Sequence, residues 1–318
     1  MPRVHITFPP PDGVRRRLAE EQWDLTWSDT PDGQPRSDML ADVAGCDAVI
    51  TLLTDRVDEE FLDAAGPQLR VVANDAVGTD NLDLPALRRR GVAASNTPEV
   101  LDAATAEIAL GLVLATSRRI AEADRFVRTG TPWQWRTDLF VGRDLAGATL
   151  GIVGLGRIGL AVAHRAAAFG MRVIATPTRS GAAEAARRGI DLLPLEELLG
   201  AADVVSLHCP LTEETRHLIG ARELALIGPE GILVNTARGP VVDEQALVTA
   251  LTDGTLGAAG LDVYEDEPRV PAPLRELPNV VALPHIGSAG RTTRERMAQL
   301  AVDNVRAVLG GGDPVTPV

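Results

Sequence analysis

Short apolar runs alternate with longer stretches of helical spacing almost from end to end of the chain. In the first hundred residues, segments 4–8, 47–52, 70–73 and 92–95 are brief and rich in Val, Ile and Ala, which predicts buried strands. Helical stretches such as 84–90 fall between them. A long helix is expected next. Thr97 can cap it, Pro98 suits its first position, Glu99 favours the positive end of its dipole, and Gly130 is a natural stop. From Leu150 the alternation restarts, with strands expected at 150–153, 171–175, 204–207, 232–236, 258–261 and 280–283. A last helix is expected over 292–309, and the tail DPVTPV reads as unstructured. Strands that alternate with helices predict parallel α/β architecture, and six strands in the second part fit a doubly wound sheet.

One stretch carries more than periodicity. In "GIVGLGRIGLAVAHRAAAFGMRVIATPTRS", residues 151–180, an apolar run meets Gly154-x-Gly156-x-x-Gly159, a helical segment follows, and a second apolar run closes the unit. A glycine triplet alone is weak evidence; between a strand and a helix it predicts a dinucleotide site. The glycines serve a tight turn, close approach of backbone to pyrophosphate, and tight helix–strand packing. The helix start then offers unpaired N–H groups to the phosphates. A carboxylate is expected about 20 residues on, gripping the ribose hydroxyls of NAD. None occurs between Asp144 and Glu184; Thr176-Pro177-Thr178-Arg179-Ser180 stands there instead.

Of the five histidines, His5, His164, His208 and His217 are expected to serve packing or surface roles. His285 differs because it follows the apolar run NVVALP and so stands just past the C-terminal end of a strand. Arg238 has the same placement after ILVNTA, as does Asp262 after AAGL. Open α/β sheets place their ligands at such ends, so these three polar groups predict one site.

Composition narrows the partners. Apolar residues make up 45% and charged residues 24%, as in globular chains. A net charge of −13 argues against nucleic acid or an anionic membrane as partner. All 31 basic residues are arginine, which excludes lysine Schiff-base chemistry and a P-loop lysine. Cys46 and Cys209 match no metal-ligand spacing, so no metal is expected. With no apolar leader at the start and no long apolar span, a cytoplasmic protein is expected.

"LVNTARGPVVDEQAL", "AAGLDVYEDEP" and "LPHIGSA", together with GLGRIG, resemble the D-isomer-specific 2-hydroxyacid dehydrogenase family. The likeness extends to "VGTDNLD" and to "TPEVLDAATAEIALGLVLATSRRI", and so covers nearly the whole chain. It implies two Rossmann-like doubly wound parallel-sheet domains. The cofactor domain, 98–286, is inserted into a discontinuous substrate domain of 1–97 plus 287–318. The family's catalytic arginine maps onto Arg238, its acid onto Glu267 and its acid–base histidine onto His285. Arg238 would fork onto the carboxylate and ketone oxygen of a 2-oxo acid. His285 would donate the proton and Glu267 would orient its ring.

The resemblance also assigns the cofactor to Gly154, Leu155, Gly156, Arg157, Ile158, Gly159, Thr176, Thr178, Arg179, Ser180, Cys209, Pro210, Thr236, Ala237, Arg238, Asp262, His285 and Gly287. The substrate falls to Val77, Gly78, Arg238, His285 and Trp135, the last reaching a neighbouring subunit's pocket. In the family an Asp near position 176 goes with NAD, whereas a Ser/Thr–Arg pattern goes with NADP, so Thr176, Thr178, Arg179 and Ser180 predict NADP(H) over NAD(H). "VVANDAVGTDNLD", "ADRFVRTG" and "WRTDLFVGRDLAG" resemble the glyoxylate/hydroxypyruvate reductase branch, which implies a homodimer formed through the long helix and the following loop. Asp75 departs from the branch, where an aromatic is common.

Other members fit less well. With the chain stopping at Val318, the regulatory domain of many phosphoglycerate dehydrogenases is not expected, and another D-2-hydroxyacid dehydrogenase, of D-lactate or D-3-phosphoglycerate type, is the alternative. Phosphite dehydrogenase has Lys where Val77 stands, and formate dehydrogenase lacks a Glu in the role of Glu267. The family also includes corepressors that bind the cofactor without turnover; their NAD-type carboxylate is missing here.

Overall fold

In the computed structural model, which describes residues 1–30, 33–178 and 181–318, the chain divides into two units, 1–101 with 289–318, and 102–288. The first contains the strands β1 (Arg3–Ile6), β2 (Asp24–Trp27), β3 (Ala48–Thr51), β4 (Val71–Asn74) and β5 (Ala93–Ser95), all parallel in the order β2-β1-β3-β4-β5. β3 and β4 are buried at every position, which is why they read as unbroken apolar runs. Met39, Phe61, Leu62 and Leu87 cover one face. The helix Arg291–Leu309 covers the other through Ala298, Ala301, Val302, Val305 and Val308. Asp58 and Asp83 cap the helices that follow them by accepting the Phe61 and Ala86 amides.

The second unit holds β6 (Thr149–Val153), β7 (Arg172–Ala175), β8 (Asp191–Leu192), β9 (Val204–Leu207), β10 (Ile232–Asn235), β11 (Ala258–Leu261) and β12 (Val280–Ala282). They run parallel in the order β12-β11-β10-β9-β6-β7-β8, so the winding reverses between β6 and β9. The helices Asp102–Ser117 and Arg157–Ala168 pack on one face through small residues, including Ala106, Ala109 and Ala166. Leu198, Leu199, Leu224, Leu247 and Leu251 cover the other. Each buried Leu or Val contributes on the order of 2 kcal/mol, so the sheet faces dominate stability.

Two strands escape the periodicity. β2 is an edge strand with exposed positions, and β8 spans only Asp191–Leu192. The long helix is shorter than expected at both ends. It begins at Asp102, not Pro98, because Glu99 adopts φ 71° and the Thr97 amide donates to the Ala76 carbonyl at 2.9 Å. It stops at Ser117, and a separate helix, Ile120–Arg128, starts after Arg119 at φ 52°. No Gly or Pro marks that break in the sequence. The tail is also ordered against expectation: Pro317 bridges Ser95, and the Val318 amide donates to Ala94 at 3.1 Å.

Candidate active site

The glycine-rich turn leaves β6 at the reversal point of the second sheet. Gly154 has φ +98°, and a Cβ there would lie 2.5 Å from the Cys209 amide nitrogen. The residues after β9 therefore pack directly onto the turn. A Cβ on Gly159 would lie 2.4 Å from the Gly154 carbonyl oxygen, whereas a Cβ on Gly156 would meet nothing within 4 Å. Two glycines are thus needed for packing, and the middle one borders open space at the start of the helix Arg157–Ala168. That is the geometry an approaching pyrophosphate requires, so these residues fit a dinucleotide.

Thr176 and Thr178 have other work. Thr176 Oγ1 accepts the Gly154 amide at 3.1 Å, while Thr178 Oγ1 donates to the Leu155 carbonyl at 3.1 Å and accepts the Gly181 amide at 3.0 Å. These hydroxyls lace the turn to the end of β7. Arg179 and Ser180 lie outside the described residues.

Three strand ends supply the polar cluster. His285, at φ 53°, sits beyond β12 with Nδ1 2.7 Å from Glu267 Oε2, which leaves Nε2 for another partner. Glu267 Oε1 accepts the Tyr264 amide at 3.0 Å, so both carboxylate oxygens are fixed. Burial pushes the Glu267 carboxyl up, but the bond and charge of His285, the Tyr264 amide and the Arg238 charge outweigh it and hold it below the usual range. Glu267 is therefore ionised at neutral pH, and Arg238 is near enough to contribute. Arg238 follows β10; its Nη1 donates to the Ala237 carbonyl at 2.8 Å, and the Asn235 side chain anchors its own carbonyl at 2.9 Å.

Asp262, 1% exposed, holds the His285 turn from beneath. Its Oδ1 accepts the Ile286 amide at 2.8 Å and its Oδ2 the Gly287 amide at 2.7 Å, while its carbonyl accepts the His285 amide at 2.9 Å. Burial, opposed by those bonds and by His285, keeps its carboxyl above the usual range. Tyr264, absent from the expected site, links the same segments, because its hydroxyl donates to the Leu283 carbonyl at 3.0 Å. Its signal in the sequence was its standing as the one tyrosine of the chain, between Asp262 and Glu267. A Cβ on Gly239 would lie 1.9 Å from the Tyr264 carbonyl, so the Arg238 segment also rests on this residue.

Among the remaining expected residues, Thr236 and Ala237 continue from β10, and Gly287 lies against Thr105, whose Cγ2 would stand 3.4 Å from a Cβ there. Cys209 is buried beside Pro210, its thiol pushed up to about 11 by burial. His208 is half-buried between Ser206 Oγ, 2.9 Å from Nε2, and Thr236 Oγ1, 3.5 Å from Nδ1; desolvation pushes it down to about 4, so it is neutral. In the first unit, Val77 and Gly78 form a turn after β4, and no residue among those described accepts their amides. Trp135 is 79% exposed on the segment after Ile120–Arg128. Among the described residues there is no metal-binding group of three or more His, Cys, Asp or Glu, and no helix is long and apolar enough to cross a membrane.

Comparison with known proteins places this geometry. A family model described as "D-isomer specific 2-hydroxyacid dehydrogenase, NAD binding domain" matches residues 110–287. The chain is 46% identical to the glyoxylate reductase of Thermococcus litoralis over 98% of its own length and 95% of the relative's. Its fold is similar to the crystal structure of a Thermus thermophilus protein, with TM-score 0.91, 46% identity and coverage of 99% of each chain. It is also similar to the NADPH-dependent glyoxylate/hydroxypyruvate reductase of Sinorhizobium meliloti in complex with NADP and malonate, with TM-score 0.82, 34% identity and coverage of 100% of this chain and 96% of that one.

Proposed function

We propose that this chain, which belongs to the D-isomer-specific 2-hydroxyacid dehydrogenase family and is an NAD(P)-dependent oxidoreductase, reduces glyoxylate and hydroxypyruvate with NADPH as the preferred cofactor. The observation that carries this is the Glu267–His285 pair at 2.7 Å, within reach of the Arg238 charge. Glu267, held as an anion, takes the Nδ1 proton of His285 in a hydrogen bond and turns Nε2 outward. From Nε2 a proton passes to the substrate's ketone oxygen as that oxygen gains charge. Arg238 binds the substrate carboxylate and polarises the ketone with the other arm of its guanidinium. In the first unit, which we take as the substrate unit, the open amides of Val77 and Gly78 would serve as donors to a substrate carboxylate. The turn Gly154–Gly159 with the helix beginning at Arg157 would hold the pyrophosphate of a nicotinamide cofactor, which when bound would supply hydride.

With Thr176 and Thr178 occupied by the turn, preference for the 2′-phosphate falls mainly to Arg179 and Ser180. A homodimer is also proposed. The helix Ile120–Arg128 buries none of its residues, and Ile120, Val127, Trp133, Trp135 and Val141 are all exposed at 51–79%. An apolar surface of that extent suits a second copy of the chain.

Steady-state kcat/KM for glyoxylate, hydroxypyruvate and pyruvate, each with NADPH and NADH, tests the assignment. Glyoxylate and hydroxypyruvate with NADPH are expected to lead. Equal values with both cofactors would defeat the argument from Arg179, and absence of turnover on any 2-oxo acid would favour a cofactor-binding protein without catalysis. His285→Ala should lower kcat by about 100-fold or more, as loss of a general acid does, with cofactor affinity within twofold.

A further inference from the structure

The C-terminal tail, which lacks any periodicity in sequence, is wired to the turn that carries Val77 and Gly78. Thr316 is the junction. Its hydroxyl donates to the Asn96 carbonyl at 2.6 Å and accepts the Asn304 side chain at 2.9 Å, and its amide donates to Asn304 Oδ1 at 2.9 Å. Asn304 is fully buried, so the anchor is firm. The Asn96 amide returns a bond to the Thr316 carbonyl at 3.3 Å. Held in this way, the Asn96 side chain donates from Nδ2 to the Val77 carbonyl at 2.8 Å.

That last bond sets the direction of an amide. In a trans peptide the carbonyl and the following N–H point to opposite sides of one rigid plane. Fixing the Val77 carbonyl on Asn96 therefore turns the Gly78 N–H away from Asn96. Its neighbours are set by the same means: the Thr97 amide holds the Ala76 carbonyl at 2.9 Å and turns out the Val77 N–H, and Asn74 Nδ2 holds the Gly78 carbonyl at 2.9 Å. Consecutive carbonyls point inward onto fixed donors, and consecutive amides are left for an anion.

We propose that Asn96 and Thr316 are positioning residues for carboxylate binding: Thr316 fixes Asn96, and Asn96 aims the Gly78 amide at the carboxylate of the 2-oxo acid. This rests on the assignment of the Val77 and Gly78 amides to that carboxylate. The tail is then part of the substrate site without touching substrate.

Thr316→Val removes the hydroxyl at constant shape, Thr316→Ser keeps it, and Asn96→Ala removes the amide donor. For each enzyme, KM for glyoxylate, the inhibition constant of the unreactive anion oxalate, KM for NADPH and Tm are measured, with kinetics well below the lowest Tm. Thr316→Val is expected to raise the glyoxylate KM and the oxalate constant together by about fivefold to tenfold, the scale of one lost hydrogen bond, with NADPH KM within twofold. Thr316→Ser should restore both constants, and Asn96→Ala should exceed Thr316→Val. Wild-type oxalate affinity in Thr316→Val and Asn96→Ala would overturn the proposal. So would Thr316→Ser behaving as Thr316→Val, or a rise in NADPH KM in step with that for glyoxylate. If the wild-type enzyme neither turns over glyoxylate nor binds oxalate, the assignment of the carboxylate site itself fails, and that result is separate from equal binding by all variants.

Discussion

Asp262→Asn isolates the hold that a buried charge has on the His285 turn. The carboxylate accepts the Ile286 and Gly287 amides at 2.8 and 2.7 Å. An asparagine of the same shape can present its oxygen to only one of them, so its NH2 faces the other, donor against donor. One charge-assisted bond is lost, worth about 2 kcal/mol, and an unpaired buried donor adds about 1–3 kcal/mol. Against this, burial keeps the Asp262 carboxyl above its usual range, so removing the charge recovers part of a desolvation cost. The losses are local and geometric and should win, leaving a net destabilisation of about 2 kcal/mol. For a unit of this size that corresponds to a Tm lower by roughly 5 °C in a calorimetric or circular dichroism melt. Because His285 sits at φ 53° only while this turn is held, kcat should fall more than tenfold with smaller changes in KM. A variant that melts within 1 °C of wild type and keeps kcat within twofold would refute the reasoning. A rise confined to NADPH KM would assign Asp262 to the cofactor alone.

Two further outcomes follow from buried groups. Burial lifts the Asp75 carboxyl to about 7 against the opposing charge of Arg294, so its contribution to stability is full below the ordinary carboxylate range and is lost as pH rises through about 7. At about 1.4 kcal/mol per pKa unit the ceiling on that loss is about 4 kcal/mol. Asp75→Asn should therefore flatten the fall in Tm between pH 5 and pH 8, and an unchanged slope would exclude Asp75 as its source. Tyr264→Phe removes the donor to the Leu283 carbonyl and should cost about 1–2 kcal/mol, with faster amide exchange at residues 285–287. Wild-type exchange there would show that the hydroxyl does not brace the turn.

Much of this fold could be read from continuous apolar runs, because strands buried on both faces leave little ambiguity: β9 and β11 begin and end where expected. Edges were harder. β2 is largely exposed and carries no burial signal, and β8 is too short to show a period. The break at Arg119 is a backbone choice made by tertiary context, since arginine carries no mark for a left-handed conformation. In the site, His285, Arg238 and Asp262 stood out because polar groups at strand ends have no packing reason to be there, and Glu267 followed from the family resemblance. The residues that brace them did not. Tyr264, Asn96 and Thr316 act through backbone carbonyls far away in sequence, and pairings of that kind leave no local pattern.

The first sheet also imposes an order of events during synthesis. One face of β1, β3 and β4 is covered by residues from Arg291–Leu309, whereas the second unit is complete by Ser288. A ribosome therefore delivers everything the later-encoded unit needs before the earlier-encoded one can bury its apolar side. Until the last thirty residues emerge, the opening segment of the polypeptide waits with an oily surface bare. Nascent chains that stall late in translation are the ones most in need of a chaperone.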